Sequence, residues 1–218
     1  MPVFALIGTA EDEKDLIKGN GKTILMVFFG ALAFTSGKKI LSNVKTSFSE
    51  YMKIEDMILY LTREIARCES ENINITTSEI YGIVILLDEI DKYLNSLGGS
   101  PVIINFVDRL VSQIRKIDGT IYMTAQRWGN VHRRMRIQTD QILKPKKIHY
   151  APPEGDGKFC PLDNCLEPHA ILGYSWYPHT EKPLVTIDCE IVGKWYDTRQ
   201  FIPDLPNVKK IKEMLANG

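Results

Sequence analysis

Ile83-Val84-Ile85-Leu86-Leu87-Asp88-Glu89 is an unbroken aliphatic run closed by two carboxylates. From Ile80 to Leu87 nearly every residue is β-branched or aliphatic, without polar alternation, as in a strand covered on both faces. Downstream, Val102 to Ile117 has helical periodicity. Gly119 to Ala125 is a further short strand, followed by Gln126-Arg127. Upstream, Ile54, Ile58, Leu61 and Ile65 recur at helical spacing within Ile54 to Arg67, and Lys39 to Val44 reads as a strand. Ile24 to Phe29 suits a helix buried against a sheet and ended by Ser36-Gly37, while Pro2 to Ile7, closed by Gly8, is the first strand. Strands alternating with helices predict an α/β fold with a mostly parallel sheet.

The chemistry of the first helix lies at its start, Gly19-Asn20-Gly21-Lys22-Thr23. Glycines let successive backbone N–H groups face a phosphate, and a helix N-terminus adds its positive dipole. In such a P-loop Lys22 bridges the β- and γ-phosphates of ATP and the Thr23 hydroxyl ligates Mg²⁺. The full pattern G-x-x-x-x-G-K-[ST] is not met: its first glycine falls at Leu16, and Gly8 lies well upstream. The loop therefore carries an acidic insertion, Thr9 to Lys18, or is built differently on its strand side.

The two carboxylates complete the set. In a P-loop sheet the strand ending at Leu87 is expected beside the one leading into the loop, with Asp88 holding Mg²⁺ through water. Glu89 then orients or deprotonates the attacking water. Two acids after a strand more often form a solvated strand end; it is their order and separation after Gly21-Lys22-Thr23 that favours ATP binding and hydrolysis. Gln126, at the end of the next strand, suits a sensor of the γ-phosphate or the lytic water, or else an amide satisfying loop backbone.

The 218 residues suffice for one domain, 1–218, with a nucleotide-binding core over 1–148 and C-terminal strands and loops over 149–218 completing or flanking the sheet. The 27 basic and 27 acidic residues cancel, so this is no dedicated nucleic-acid coat, although basic residues can still gather in a ring's channel. No apolar run reaches the roughly 18 residues a membrane span requires, and the N-terminus lacks a basic signal-peptide region, which points to the cytosol. Cys68 and Cys189 read as small buried hydrophobes, on a helix and in a strand respectively. Cys160-x₄-Cys165-x₃-His169 has near-zinc spacing but supplies three ligands unless His149, His179 or Cys189 joins. Two free thiols or a local disulfide are the other readings.

These motifs resemble those of the FtsK–HerA type of P-loop ATPases, especially the genome-packaging ATPases of archaeal icosahedral viruses, and are similar to those of zonula-occludens-toxin-like phage assembly ATPases. The matching residues are Gly21-Lys22-Thr23, Ser42-Asn43, Leu87-Asp88-Glu89-Ile90, Gln113-x-Arg115-Lys116, Thr124-Ala125-Gln126-Arg127, His132-Arg133-Arg134-x-Arg136 and Trp195-Tyr196-Asp197-Thr198. The resemblance implies a RecA-like core assembled as a ring, often a hexamer, that moves double-stranded DNA at the expense of ATP. It also implies an arginine reaching a neighbour's γ-phosphate, with Arg134 or Arg136 favoured over Arg133, and partners among capsid or portal-vertex proteins. The expected location is the infected-cell cytoplasm or the virion. Lys144, Lys146 and Lys147 around Pro145 are DNA contacts or a solvated turn, and Tyr93 to Ser100 is a channel loop or a surface turn. A nucleotide-gated assembly or export factor and a small-molecule kinase are the alternatives; a kinase has no use for a water-activating glutamate.

Overall fold

The structure is a computed structural model that describes residues 2–7, 21–93, 101–148, 170–177 and 180–196. Its elements run β1 (Val3–Ile7), α1 (Lys22–Thr35), β2 (Ile40–Ser42), β3 (Glu50–Tyr51), α2 (Ile54–Ser70), β4 (Val84–Leu87) and α3 (Ile90–Tyr93). They continue through α4 (Pro101–Lys116), β5 (Thr120–Ala125), α5 (Arg133–Ile137), β6 (Gln141–Ile148), β7 (Ala170–Tyr177), β8 (Thr180–Asp188) and α6 (Cys189–Gly193).

The strands form one sheet in the order β3-β2-β4-β5-β1-β6-β7-β8. The pairings from β3 to β6 are parallel, and β7 and β8 extend the sheet antiparallel. The mostly parallel α/β sheet expected from the sequence is therefore what the chain forms. One expectation is corrected: β4 does not lie beside β1, because β5 is hydrogen-bonded between them, Ile121 pairing with Val3 on one side and Ile85 on the other. An apolar run shows that a strand is buried, not which neighbour it takes.

Alternation along each strand divides the core into two layers. Val3, Ala5, Ile7, Ile83, Ile85, Leu87, Ile121 and Met123 pack with α2, α4 and Met135 of α5. Leu6, Ile40, Val84, Leu86 and Leu143 pack on the opposite face with Leu25, Met26 and Val27 of α1 and Val192 of α6. The α1 helix approaches β4 at Gly30, where a Cβ would stand 2.6 Å from Leu86 Cδ1 and 3.2 Å from Phe48 Cε2.

Two further expectations change. Lys144, Lys146 and Lys147 lie within β6 rather than a turn, Pro145 being accommodated among the sheet's pairings. The apolar run Leu184 to Val192 divides, β8 ending at Asp188 and Cys189 beginning α6. Cys68 is a free, buried thiol on α2. Thr9 to Lys18, Gly19, Asn20, Leu94 to Ser100, His149, Cys160, Cys165, His169, His179 and Asp197-Thr198 lie outside the described residues. Among the described residues no helix is long and apolar enough to cross a membrane.

Candidate active site

β1, β4 and β5 end at the same edge of the sheet, Ile7 standing beside Ala125 and Leu87 beside Met123. The start of α1 reaches this edge. Gly21, its N-cap, has φ 76°, a left-handed conformation that side-chain-bearing residues rarely adopt. Gly21 supplies no side-chain cap to α1 and no acid occupies the first turn, in contrast to α2, which carries Glu55 and Asp56 there. Among the described residues no side chain takes up the leading N–H groups of α1, and a helix start of that kind, with its positive dipole end, suits an anion.

Asp88 is the centre of the site. It is 5% exposed, and its Oδ1 accepts hydrogen bonds from the Thr23 hydroxyl at 2.9 Å and from the Thr124 hydroxyl. Its main chain is gripped by Asn43, itself buried, whose Nδ2 donates to the Asp88 carbonyl at 3.0 Å and whose Oδ1 accepts from the Asp88 N–H at 2.7 Å. Burial pushes the Asp88 carboxyl above its ordinary value, a rise opposed by the two hydroxyls and by Lys22 and reinforced by Glu89. Lys22 is pushed down by burial, against the attraction of Asp88, Asp91 and Glu89. A hydroxyl and a buried carboxylate are hard oxygen donors, a set that suits Mg²⁺ better than a thiophilic metal.

Glu89 stands beside this pair with φ 53°, uncommon for a residue other than glycine. Its N–H donates to Thr124 Oγ1 at 2.8 Å, so one hydroxyl of β5 fixes both acids that follow β4. Gln126 Nε2 donates to Glu89 Oε1 at 3.2 Å, and Lys92 Nζ pairs with Oε2. Asp91 Oδ2 accepts from the backbone N–H groups of Gln126 at 3.1 Å and Arg127 at 3.4 Å. The fold thus brings Gly21, Lys22, Thr23, Asp88, Glu89 and Gln126 to one edge.

The arginines stand apart from this cluster on α5, whose first turn is capped by His132 Nδ1 accepting from the Arg134 N–H at 3.3 Å. Arg134 pairs with Asp108 of α4, Arg133 is exposed, and Arg136 has a buried Nε without a hydrogen-bond partner. Among the described residues no cluster of His, Cys, Asp or Glu is arranged to hold a metal by itself. Sequence reasoning assigned no role to Asn43, Thr124, Asp91 or Lys92. The available signal for Asp91 was a third acid two residues after Glu89.

No protein-family model and no curated protein matches the chain. Its fold is similar to that of the N-terminal domain of zonular occludens toxin from Neisseria meningitidis, with TM-score 0.50 and 14% identity, covering 90% of this chain and 98% of that one. The genome packaging NTPase B204 from Sulfolobus turreted icosahedral virus 2, solved with ATP-gammaS, aligns over 84% of this chain and 95% of that chain, with 13% identity and TM-score 0.44. B204 from Sulfolobus turreted icosahedral virus, described as a DNA-packaging ATPase, aligns over 84% and 96% of the two chains, with 12% identity and TM-score 0.44. The likeness to the zonular occludens toxin domain is one of fold.

Proposed function

We propose that the chain is an ATPase that binds ATP with Mg²⁺ at the start of α1 and uses hydrolysis to translocate double-stranded DNA, packaging a viral genome into a capsid. The observation that carries the nucleotide reading is the hydrogen bond from Thr23 to Asp88, 65 residues apart in sequence, at the start of α1. Lys22 would neutralise the phosphates, and Thr23 and Asp88 would hold Mg²⁺, which would supply charge compensation for the phosphates. Glu89 orients water and accepts its proton, and Gln126 fixes the Glu89 carboxylate. A carboxylate so placed favours hydrolysis over transfer to a small-molecule acceptor.

The DNA, the ring and the capsid rest on the resemblance of the motifs. In a ring, a hexamer by that resemblance, Arg136 is the better placed of the two favoured arginines to serve a neighbour, since Arg134 is held by Asp108 of its own chain. The infected-cell cytoplasm is then where the chain works, with capsid or portal-vertex proteins as partners. Steady-state ATP hydrolysis with and without duplex DNA tests the reading, with Lys22→Ala as control. Lys22-dependent turnover that rises with DNA is expected. Lys22-dependent turnover indifferent to DNA overturns translocation in favour of an assembly switch, and turnover independent of Lys22 overturns the site.

A further inference from the structure

We infer that Asp91 is a positioning residue that sets the Glu89–Gln126 pair, an inference that rests on the hydrolytic reading above. Asp91 is 9% exposed although it lies in the first turn of the short helix α3, just after the strand end that carries Asp88 and Glu89. A carboxylate is costly to bury unless hydrogen bonds compensate it. Its Oδ2 takes two, from the backbone N–H groups of Gln126 and Arg127, while its Oδ1 is buried without a partner.

The position of those contacts gives the acid its role. Gln126 directly follows β5, where the chain turns toward α5, and its own side chain donates to Glu89 Oε1. Asp91 is two residues from Glu89 along the chain. The contacts therefore close a small circuit: Glu89 through Ile90 to Asp91, across to the backbone of Gln126, and back through the Gln126 side chain to Glu89. A loop held by one side-chain amide would be free to swing. With its backbone also tied to α3, the amide and the carboxylate move as a unit, and their register is fixed before any ligand arrives. Reacting groups displaced by about 1 Å can lose on the order of a hundredfold in rate, so such a tether has a kinetic consequence.

Two measurements test it, and neither stands in for the other. In steady-state ATP hydrolysis with Mg²⁺, Asp91→Ala is expected to lower kcat by about 10- to 100-fold with KM within about twofold. Asp91→Asn, which keeps an acceptor for both N–H groups, is expected to restore most of the rate. The double variant Asp91→Ala with Gln126→Ala should be no slower than Gln126→Ala alone, because both act through one contact. Multiplying losses, or a loss confined to KM, would overturn the assignment, as would failure of Asp91→Asn to rescue a folded protein. Hydrogen exchange of the Gln126 and Arg127 amides in the nucleotide-free chain reads the tether without any catalysis. Protection should be lost in Asp91→Ala and kept in Asp91→Asn, and unchanged protection in Asp91→Ala contradicts the tether. A wild-type chain without turnover would instead remove the hydrolytic reading while leaving the exchange result to stand or fall by itself.

Discussion

Asn43 and Asp88 are bonded in both directions, the side-chain amide of one donating to and accepting from the main chain of the other at 3.0 and 2.7 Å. Asn43 follows β2 and Asp88 follows β4, so the clamp ties two adjacent parallel strands at the edge where the site lies. It leaves the Asp88 carboxylate free to face Thr23 and Thr124.

Replacing Asn43 by alanine strips a buried N–H and a buried carbonyl of their partners at once. Each orphaned group costs about 1–3 kcal/mol, so Asn43→Ala should lose about 2–3 kcal/mol of stability after local relaxation. Urea unfolding of the metal-free chain measures this; a loss under about 0.5 kcal/mol would place the clamp among surface contacts.

Asp88 carries a pH signature. Burial raises its pKa above the ordinary 3.8, so the folded chain holds a proton that the unfolded chain has already lost. Its contribution to stability is therefore complete below 3.8 and lost as pH rises through the raised folded value. Asp88→Asn keeps an acceptor for Thr23 and Thr124 without the buried charge. In metal-free buffer its Tm should exceed that of the wild type at neutral pH, and the gap should close as pH falls toward 3.8. A lower Tm for Asp88→Asn at neutral pH would mean that Lys22 outweighs the burial of the charge.

Gly30 tests the contact between α1 and the sheet. An added Cβ meets Leu86 Cδ1 at 2.6 Å, and Leu86 is fully buried, so the neighbour must change rotamer or the helix must lift. Gly30→Ala should cost about 1–3 kcal/mol despite alanine's better helix propensity. Thermal unfolding that shows a gain instead would mean that this contact has room to spare.

The arginines are separable by mutation. Arg136→Ala should lower turnover by about a thousandfold with nucleotide affinity unchanged, the loss expected of an arginine finger. Arg134→Ala removes an exposed pair with Asp108 and should cost under about tenfold. Turnover measured across a range of chain concentrations, so as to include the proposed ring, decides between them. The reverse ranking would make Arg134 the residue acting on a neighbour.

Much of this was legible in the chain because the decisive signals are local. Ile83 to Leu87 has the composition of a doubly covered strand, and Gly21-Lys22-Thr23 opens an apolar helix. The position of β5 between β1 and β4 was not legible, since a hydrophobic run does not encode which edge it pairs. Asp91 was missed for a related reason: its partners are backbone N–H groups 35 and 36 residues away, which leave no mark in composition or spacing. The β7 and β8 strands appeared only as short apolar runs, and the boundary at Asp188–Cys189 shows why: the apolar residues continue from strand to helix without a break.

The most direct test of the proposed hydrolytic site is Glu89→Gln, which retains the side chain's shape and its contact with Gln126 while removing the proposed base. ATP binding and steady-state hydrolysis should be measured together on wild type and variant, with Mg²⁺ present. ATP binding is expected within about threefold of wild type and turnover reduced by at least about a hundredfold. Full turnover in Glu89→Gln would contradict it, and the water-activating group would then lie elsewhere on that edge of the sheet.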